Sequence, residues 1–229
     1  IEKVIDETPT VRTLVFSDAV MPNVLPGQFA MVWIPGINEL PMSVMISQES
    51  GKAAFTVRKH GLASTGLFNI ASGGKIGIRG PYGNAFDIKS GKLLLVGGGT
   101  GLVPMMRLLT FVKPTDDVTV LIGAKSKNEV FFESLANDLL KNNVHNVIVS
   151  TDDGSYGENG FVTDVVEKLV NESHFDAVYT CGPEKMMYKT VQSAHSRGIF
   201  VQASLERMMK CGVGICGSCC VGEDLACKD

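Results

Sequence analysis

Between residues 92 and 206, five apolar, strand-like runs alternate with helix-period segments, and this alternation constrains the fold more than any other feature of the chain. The runs are "KLLLVGGG", "DVTVLIGA", "NVIVSTDD", "AVYTCGP" and "FVQASLE", with "GLVPMMRLLTFV", "EVFFESLANDLL", "GFVTDVVEKLV" and "EKMMYKTVQSAHSRG" between them. Strands buried on both faces and joined by helices build a parallel sheet with right-handed crossovers, so the segment reads as a doubly wound α/β nucleotide-binding domain. Its first strand-to-helix turn, "GGGTGLVP" (97–104), has glycines where backbone amides and a helix N-terminus can approach a pyrophosphate. The turn is not G-x-G-x-x-G, and the second strand runs into "GAKSKNE" instead of an acidic residue. Tight packing alone would also demand such glycines.

The first 88 residues follow another rule. "IEKVIDE", "VRTLVFS", "FAMVWIP", "MSVMISQ", "AAFTVRKH" and "KIGIRGPYG" are short strand-like runs separated by turn residues, with no helix expected between them. Six such strands predict a small antiparallel barrel. The expected domains are therefore 1–89, the barrel; 90–202, the α/β domain; and 203–229, a small tail. With 45% hydrophobic and 20% charged residues in 229, the chain can bury a substantial core. A net charge of −3 without a basic stripe argues against a nucleic-acid partner. No apolar run reaches a membrane-spanning length and no leader pattern opens the sequence, so a soluble, cytoplasmic protein with no membrane association is expected.

The tail holds five of the six cysteines, all within "MMKCGVGICGSCCVGEDLACKD" (208–229). Reduced thiols clustered in a cytosolic protein point to metal binding or redox chemistry. Cys211, Cys216 and Cys219 stand at C-x4-C-x2-C, with Cys227 after seven further residues, the spacing of plant-type [2Fe–2S] loops. Gly212, Gly214 and Gly217 permit positive φ, letting the backbone wrap a small inorganic core and aim its amides inward. Zinc also accepts four thiolates, but its knuckles are normally two short pairs far apart. Cys220 is surplus and is read as a non-ligand. His60, His145, His174 and His195 have neither metal nor triad spacing.

A barrel followed by a "GGGTG" domain with a late "CGP" turn resembles the ferredoxin-reductase superfamily, in which the barrel holds FAD and the second domain NAD(P)H. "GPYGNAF", "LLLVGGGTGLVPM", "TDDGSYGENGFVTD", "CGPEKMM" and "SLERMMKCGVGICGSC" together resemble the electron-transfer subunits of dihydroorotate dehydrogenase B. The resemblance implies that Pro41, Met42 and Ser43 lie on a strand facing the flavin. It implies that Gly61, Leu62, Ser64 and Thr65 hold the FAD pyrophosphate, and that Gly80, Pro81, Tyr82 and Gly83 form a turn beside flavin and nicotinamide. Gly98, Gly99, Thr100 and Gly101 would cradle NAD phosphate, and Cys181, Gly182 and Pro183 would lie beside the nicotinamide ring. Cys211, Cys216, Cys219 and Cys227 would ligate the [2Fe–2S] cluster. No side chain is implied as an acid or base. The implied activity is electron transfer between NAD and an FMN-containing catalytic subunit that oxidises dihydroorotate, a partner docking at the tail.

Plainer roles stand beside these. Pro41 can simply end a loop, "GPYGN" and "TDDG" (151–154) can be turns, and Cys181 can be an inert core thiol. The family's Arg-Pro-x-Ser pattern, whose arginine pairs with FAD phosphate, is here Leu-Pro-Met-Ser, with Leu40 in the arginine's place; Arg58 or Lys59 are the candidates to supply the lost charge. The chain stops two residues after Cys227, as a trimmed one would. Lys125, Ser126 and Lys127 would suit a 2′-phosphate and NADP, whereas the resemblance points to NAD. Two other functions stay open: a related flavin and iron–sulfur reductase subunit serving a hydrogenase, a sulfur reductase or a ferredoxin–NADP system, and a zinc-stabilised nucleotide-binding regulatory module.

Overall fold

The computed structural model describes residues 1–229, in two compact units. One comprises residues 1–86 together with 206–229, and the other residues 87–205. The tail, expected as a separate small domain from 203, is thus part of the same unit as the N-terminal strands.

The first unit contains β1 (Lys3–Thr8), β2 (Val11–Ser17), β3 (Phe29–Ile34), β4 (Asn38–Ser43), β5 (Met45–Ile46), β6 (Lys52–Arg58), α1 (Leu62–Phe68) and β7 (Gly77–Tyr82). They form two antiparallel sheets, ordered β1-β2-β6-β5 and β4-β3-β7. The sequence suggested six strands; there are seven. The run expected as one strand from Met42 begins at Asn38 and switches sheets at the buried Val44, a bend of the kind that closes orthogonal sheets. Leu14, Phe16, Ala30, Val32, Phe55, Val57 and Leu67 fill the space between the sheets. The helix α1 also departs from expectation. At seven residues with Gly66 inside it, it is too short for its periodicity to register. Tertiary contact holds it: Leu67 and Phe68 enter the core, and a Cβ on Gly66 would lie 2.4 Å from Ile37 Cδ1.

The second unit contains β8 (Lys92–Gly98), α2 (Leu102–Leu109), β9 (Asp117–Ala124), α3 (Glu133–Leu139), β10 (Val144–Thr151), β11 (Glu158–Asn159), α4 (Val162–Glu172), β12 (Ala177–Cys181), α5 (Glu184–His195) and β13 (Phe200–Ser204). All strands are parallel, in the order β11-β10-β9-β8-β12-β13. The five expected strands and four helices are present, with β11 as a short extra edge. Chain direction reverses its march across the sheet between β8 and β12, the switch point where doubly wound sheets bind ligands. Leu94, Val96, Leu121 and Val178 pack with α4 and α5, while α2 packs with α3. No helix is long and apolar enough to cross a membrane.

Tyr179, fully buried in β12, donates its hydroxyl to the Asp87 carbonyl (2.9 Å) and accepts the Lys89 amide (2.8 Å). Tyr179→Phe strands both backbone groups, so urea unfolding should show a loss of about 1–3 kcal/mol, the usual cost of unpaired buried polar groups.

Candidate functional site: a glycine-lined sheet edge and a four-thiol nest

At the switch point, β8 ends in Gly98, and Gly99–Gly101 make one 3-10 turn before α2. Cys181 ends β12, and Gly182 and Pro183 lead into α5. The two turns press together. A Cβ on Gly101 would lie 2.2 Å from the Cys181 carbonyl oxygen, and one on Gly182 (φ +149°) 3.0 Å from the backbone of Gly98. The structure therefore brings Gly98, Gly99, Thr100, Gly101, Cys181, Gly182 and Pro183 together on one edge of the sheet. It also shows that packing alone requires glycine at 101 and 182. Gly101→Ala should fail to give soluble, folded protein at wild-type yield, measured by expression and circular dichroism; a normal fold would mean the turn can open.

The neighbouring edge carries "TDDG". Thr151 ends β10, and its hydroxyl donates to the Tyr156 carbonyl (2.7 Å) while accepting the Tyr156 amide (3.1 Å). The Asp153 carboxylate accepts the Ser155 amide and hydroxyl, which hold it below the usual carboxylate range. Lys127 Nζ lies 5.4 Å from the Tyr156 ring, whose hydroxyl is bonded to Glu133.

In the other unit, residues of β4 alternate between faces. Leu40 and Met42 pack toward the barrel core, so Met42 is not on the face shared by Pro41 and Ser43, which pair with Met31 and Phe29. Leu40 has apolar surroundings in place of a phosphate-binding arginine's role. Of its suggested replacements, Arg58 ends β6 opposite Val11, and Lys59 Nζ lies 5.9 Å from the Phe68 ring. Gly61, Leu62, Ser64 and Thr65 form the first turn of α1. The Ser64 hydroxyl accepts the Gly61 amide (2.9 Å), capping the helix and leaving backbone amides as the turn's donors. Gly80 (φ +134°) and Gly83 (φ +77°) flank Pro81 and Tyr82 at the end of β7.

The tail lies on the outward face of β4-β3-β7. Phe29, Met31 and Tyr82 pack with Met209, Cys219, Cys227, Leu225 and Ala226. A hairpin of β14 (Cys220–Val221) and β15 (Asp224–Leu225) connects Cys219 to Cys227. Gly212, Gly214 and Gly217 have φ of +76°, +76° and +70°, as the wrapping role requires, and Gly212 lies so close to Tyr82 that a Cβ would approach its ring to 3.0 Å.

The amides of Val213 and Ile215 (3.4 Å each) and Cys216 (3.5 Å) point at Cys211 Sγ, and that of Gly214 at Cys227 Sγ (3.2 Å). Three converging amides stabilise the Cys211 thiolate and lower its pKa to about 6. The Cys216 thiol, bonded to Ser218, is also lowered, whereas burial raises that of Cys227. No three His, Cys, Asp or Glu side chains are grouped as a single metal ion would require. All four thiols are free: the Cys216 amide donates to Cys211 Sγ in the glycine-rich loop, and Cys219 and Cys227 are buried at the two ends of the hairpin. Cys220 stands apart, exposed, donating its thiol to the Gly217 carbonyl (2.8 Å).

Sequence reasoning missed Arg79. Its guanidinium forms a two-point ion pair with Glu39 (2.7 Å at each contact) and donates to the carbonyls of Lys210 (2.6 Å) and Cys211. No local motif marks it, because its partners are brought near only by the pairing of β4, β3 and β7 and by docking of the tail.

In metal-free, reduced protein, alkylation at Cys211 should rise through a midpoint near pH 6, because the reactive thiolate predominates above the lowered pKa. Cys227 should react only at higher pH. Mass-spectrometric labelling from pH 5 to 9 checks the order.

Two antiparallel sheets followed by a doubly wound parallel sheet define a ferredoxin-reductase-like oxidoreductase. Residues 95–192 match the oxidoreductase NAD-binding domain family. The fold is shared with a ferredoxin NADP+ reductase from Neisseria gonorrhoeae, 14% identical, with a TM-score of 0.72 over 89% of this chain and 96% of that one. An NADH-dependent reduced ferredoxin–NADP oxidoreductase is 27% identical, with a TM-score of 0.87 over 100% of this chain and 85% of that one. Dihydroorotate dehydrogenase B (NAD+) electron transfer subunits of Thermoplasma volcanium and Methanocaldococcus jannaschii are 40% and 39% identical, matching 100% of this chain and 85% and 86% of theirs. The chain belongs to this electron-transfer-subunit family.

Proposed function

We propose that the protein carries electrons between NAD and a partner dehydrogenase through FAD and a [2Fe–2S] cluster, and that the reaction it serves is oxidation of dihydroorotate to orotate. One observation carries the cluster assignment: four free thiols stand in one glycine-rich loop and its hairpin, with backbone amides directed at the sulfurs of Cys211 and Cys227. A two-iron cluster takes four thiolates and is stabilised by amides aimed at sulfur, so this donor set fits it better than a single zinc. Cys211, Cys216, Cys219 and Cys227 would be its ligands.

When bound, FAD exchanges a hydride with nicotinamide and single electrons with the cluster, chemistry that belongs to the cofactors. The chain's residues bind and orient. The amides of Gly98–Gly101 and the start of α2 would receive the nucleotide pyrophosphate, with Cys181–Pro183 bounding the same edge. The first-turn amides of α1 would serve FAD phosphate, and Pro41, Ser43 and the Gly80–Gly83 turn would border the flavin. An acidic Asp153 and an engaged Lys127 near the second strand's end favour NAD over NADP.

The partner would be an FMN-containing catalytic subunit, named by chemistry as the donor of dihydroorotate's electrons. Met208, Val213 and Ile215 are 76%, 46% and 83% exposed beside the ligand loop, an apolar surface suited to it. Likeness to the NADH-dependent oxidoreductase favours a second reading, in which the same cofactors serve a ferredoxin.

An anaerobic absorption spectrum should show flavin bands and a broad iron–sulfur shoulder, both bleached by NADH. A colourless, zinc-containing protein would refute the relay and support the regulatory module. Dihydroorotate-dependent NADH formation with the catalytic subunit, weakened by Ile215→Glu, separates the first reading from the second.

A further inference from the structure

Arg79 stands where the barrel meets the start of the four-thiol nest. It is fixed from one side by Glu39 through two parallel contacts of 2.7 Å, and its guanidinium lies 5.5 Å from the Tyr82 ring. From the other side it holds the backbone carbonyls of Lys210 and Cys211, which lie 131 and 132 residues away in sequence. A planar guanidinium, with five N–H donors, can hold a carboxylate at two points and two carbonyls besides; an ammonium, with three, cannot make all four contacts. At the other end of the tail, Asn84 donates to the carbonyls of Lys228 (2.8 Å) and Asp229 (3.2 Å), next to Cys227. The segment Arg79–Asn84 therefore grips both ends of the loop that carries the thiols.

The geometry points to Arg79 as the positioning residue of this nest: it pins the first ligand loop to the barrel and holds a guanidinium, ion-paired to Glu39, at the carbonyl of Cys211, a residue that would ligate the cluster. This rests on the cluster reading above and adds a role that the cysteines themselves do not have. The cation favours the more negative, reduced form of a neighbouring redox centre, so its removal makes the midpoint potential more negative. Loss of two charge-assisted contacts also loosens the loop.

The test uses the full chain, with its iron and sulfide first measured in the wild type; their absence there would defeat the cluster reading and this inference with it, whereas their presence leaves the role of Arg79 alone under test. In iron-loaded Arg79→Gln, release of iron to a chelator should be about tenfold faster or more, and the midpoint potential, followed by electron paramagnetic resonance, should move negative. Arg79→Lys keeps the charge but not the fork: it should release iron faster than wild type while largely restoring the potential, a split that a merely structural residue would not give. In metal-free Arg79→Gln, the buried Cys227 should be alkylated faster. If Arg79→Gln does not fold, Glu39→Gln, which removes the anchor and leaves the cation, should accelerate iron release without the negative shift. Wild-type release and potential in a folded Arg79→Gln, or in the fallback a wild-type release rate in Glu39→Gln, would overturn the proposal.

Discussion

The cysteine tail has too few apolar residues to make a core of its own, and the structure depends on how that shortage is met. A segment this small cannot bury enough surface to fold alone. Its buried side chains, Met209, Cys219 and Cys227, lie instead against Phe29, Met31 and Tyr82 on the outward face of a barrel sheet. That sheet is thus covered on one face by the core and on the other by the tail. Gly212, squeezed against Tyr82, marks how closely the backbone approaches.

The same economy of backbone approach governs the other unit. Gly98, Gly101 and Gly182 let the ends of β8 and β12 meet, and a side chain at either of the last two would collide with main chain. Glycines that read as a phosphate cradle are first a packing requirement. The packing then leaves amides and a helix start on the edge where nucleotides bind in such sheets. Structural need and the proposed binding function fall on the same residues.

Much of this was legible in the sequence. Five apolar runs with helical segments between them specify the parallel sheet, because strands buried on both faces carry uninterrupted apolar residues. The C-x4-C-x2-C spacing and its glycines identified the nest and its positive-φ turns. The first six antiparallel strands were legible except where one run divides at Val44, a bend determined by closure of two sheets. Helix α1 was missed because a Gly-containing heptapeptide owes its helicity to Ile37 and the barrel core. The attachment of the tail and the Arg79–Glu39 pair, 40 residues apart in the chain, depend on strand register and docking, which no local pattern records.

The most direct test of the four-thiol nest as a cluster site is the iron and acid-labile sulfide content of anaerobically purified protein, read together with its 57Fe Mössbauer spectrum. Two irons and two sulfides per chain, in tetrahedral sulfur sites coupled to a diamagnetic ground state, are the expected result. One metal per chain without sulfide, whether iron or zinc, would contradict it.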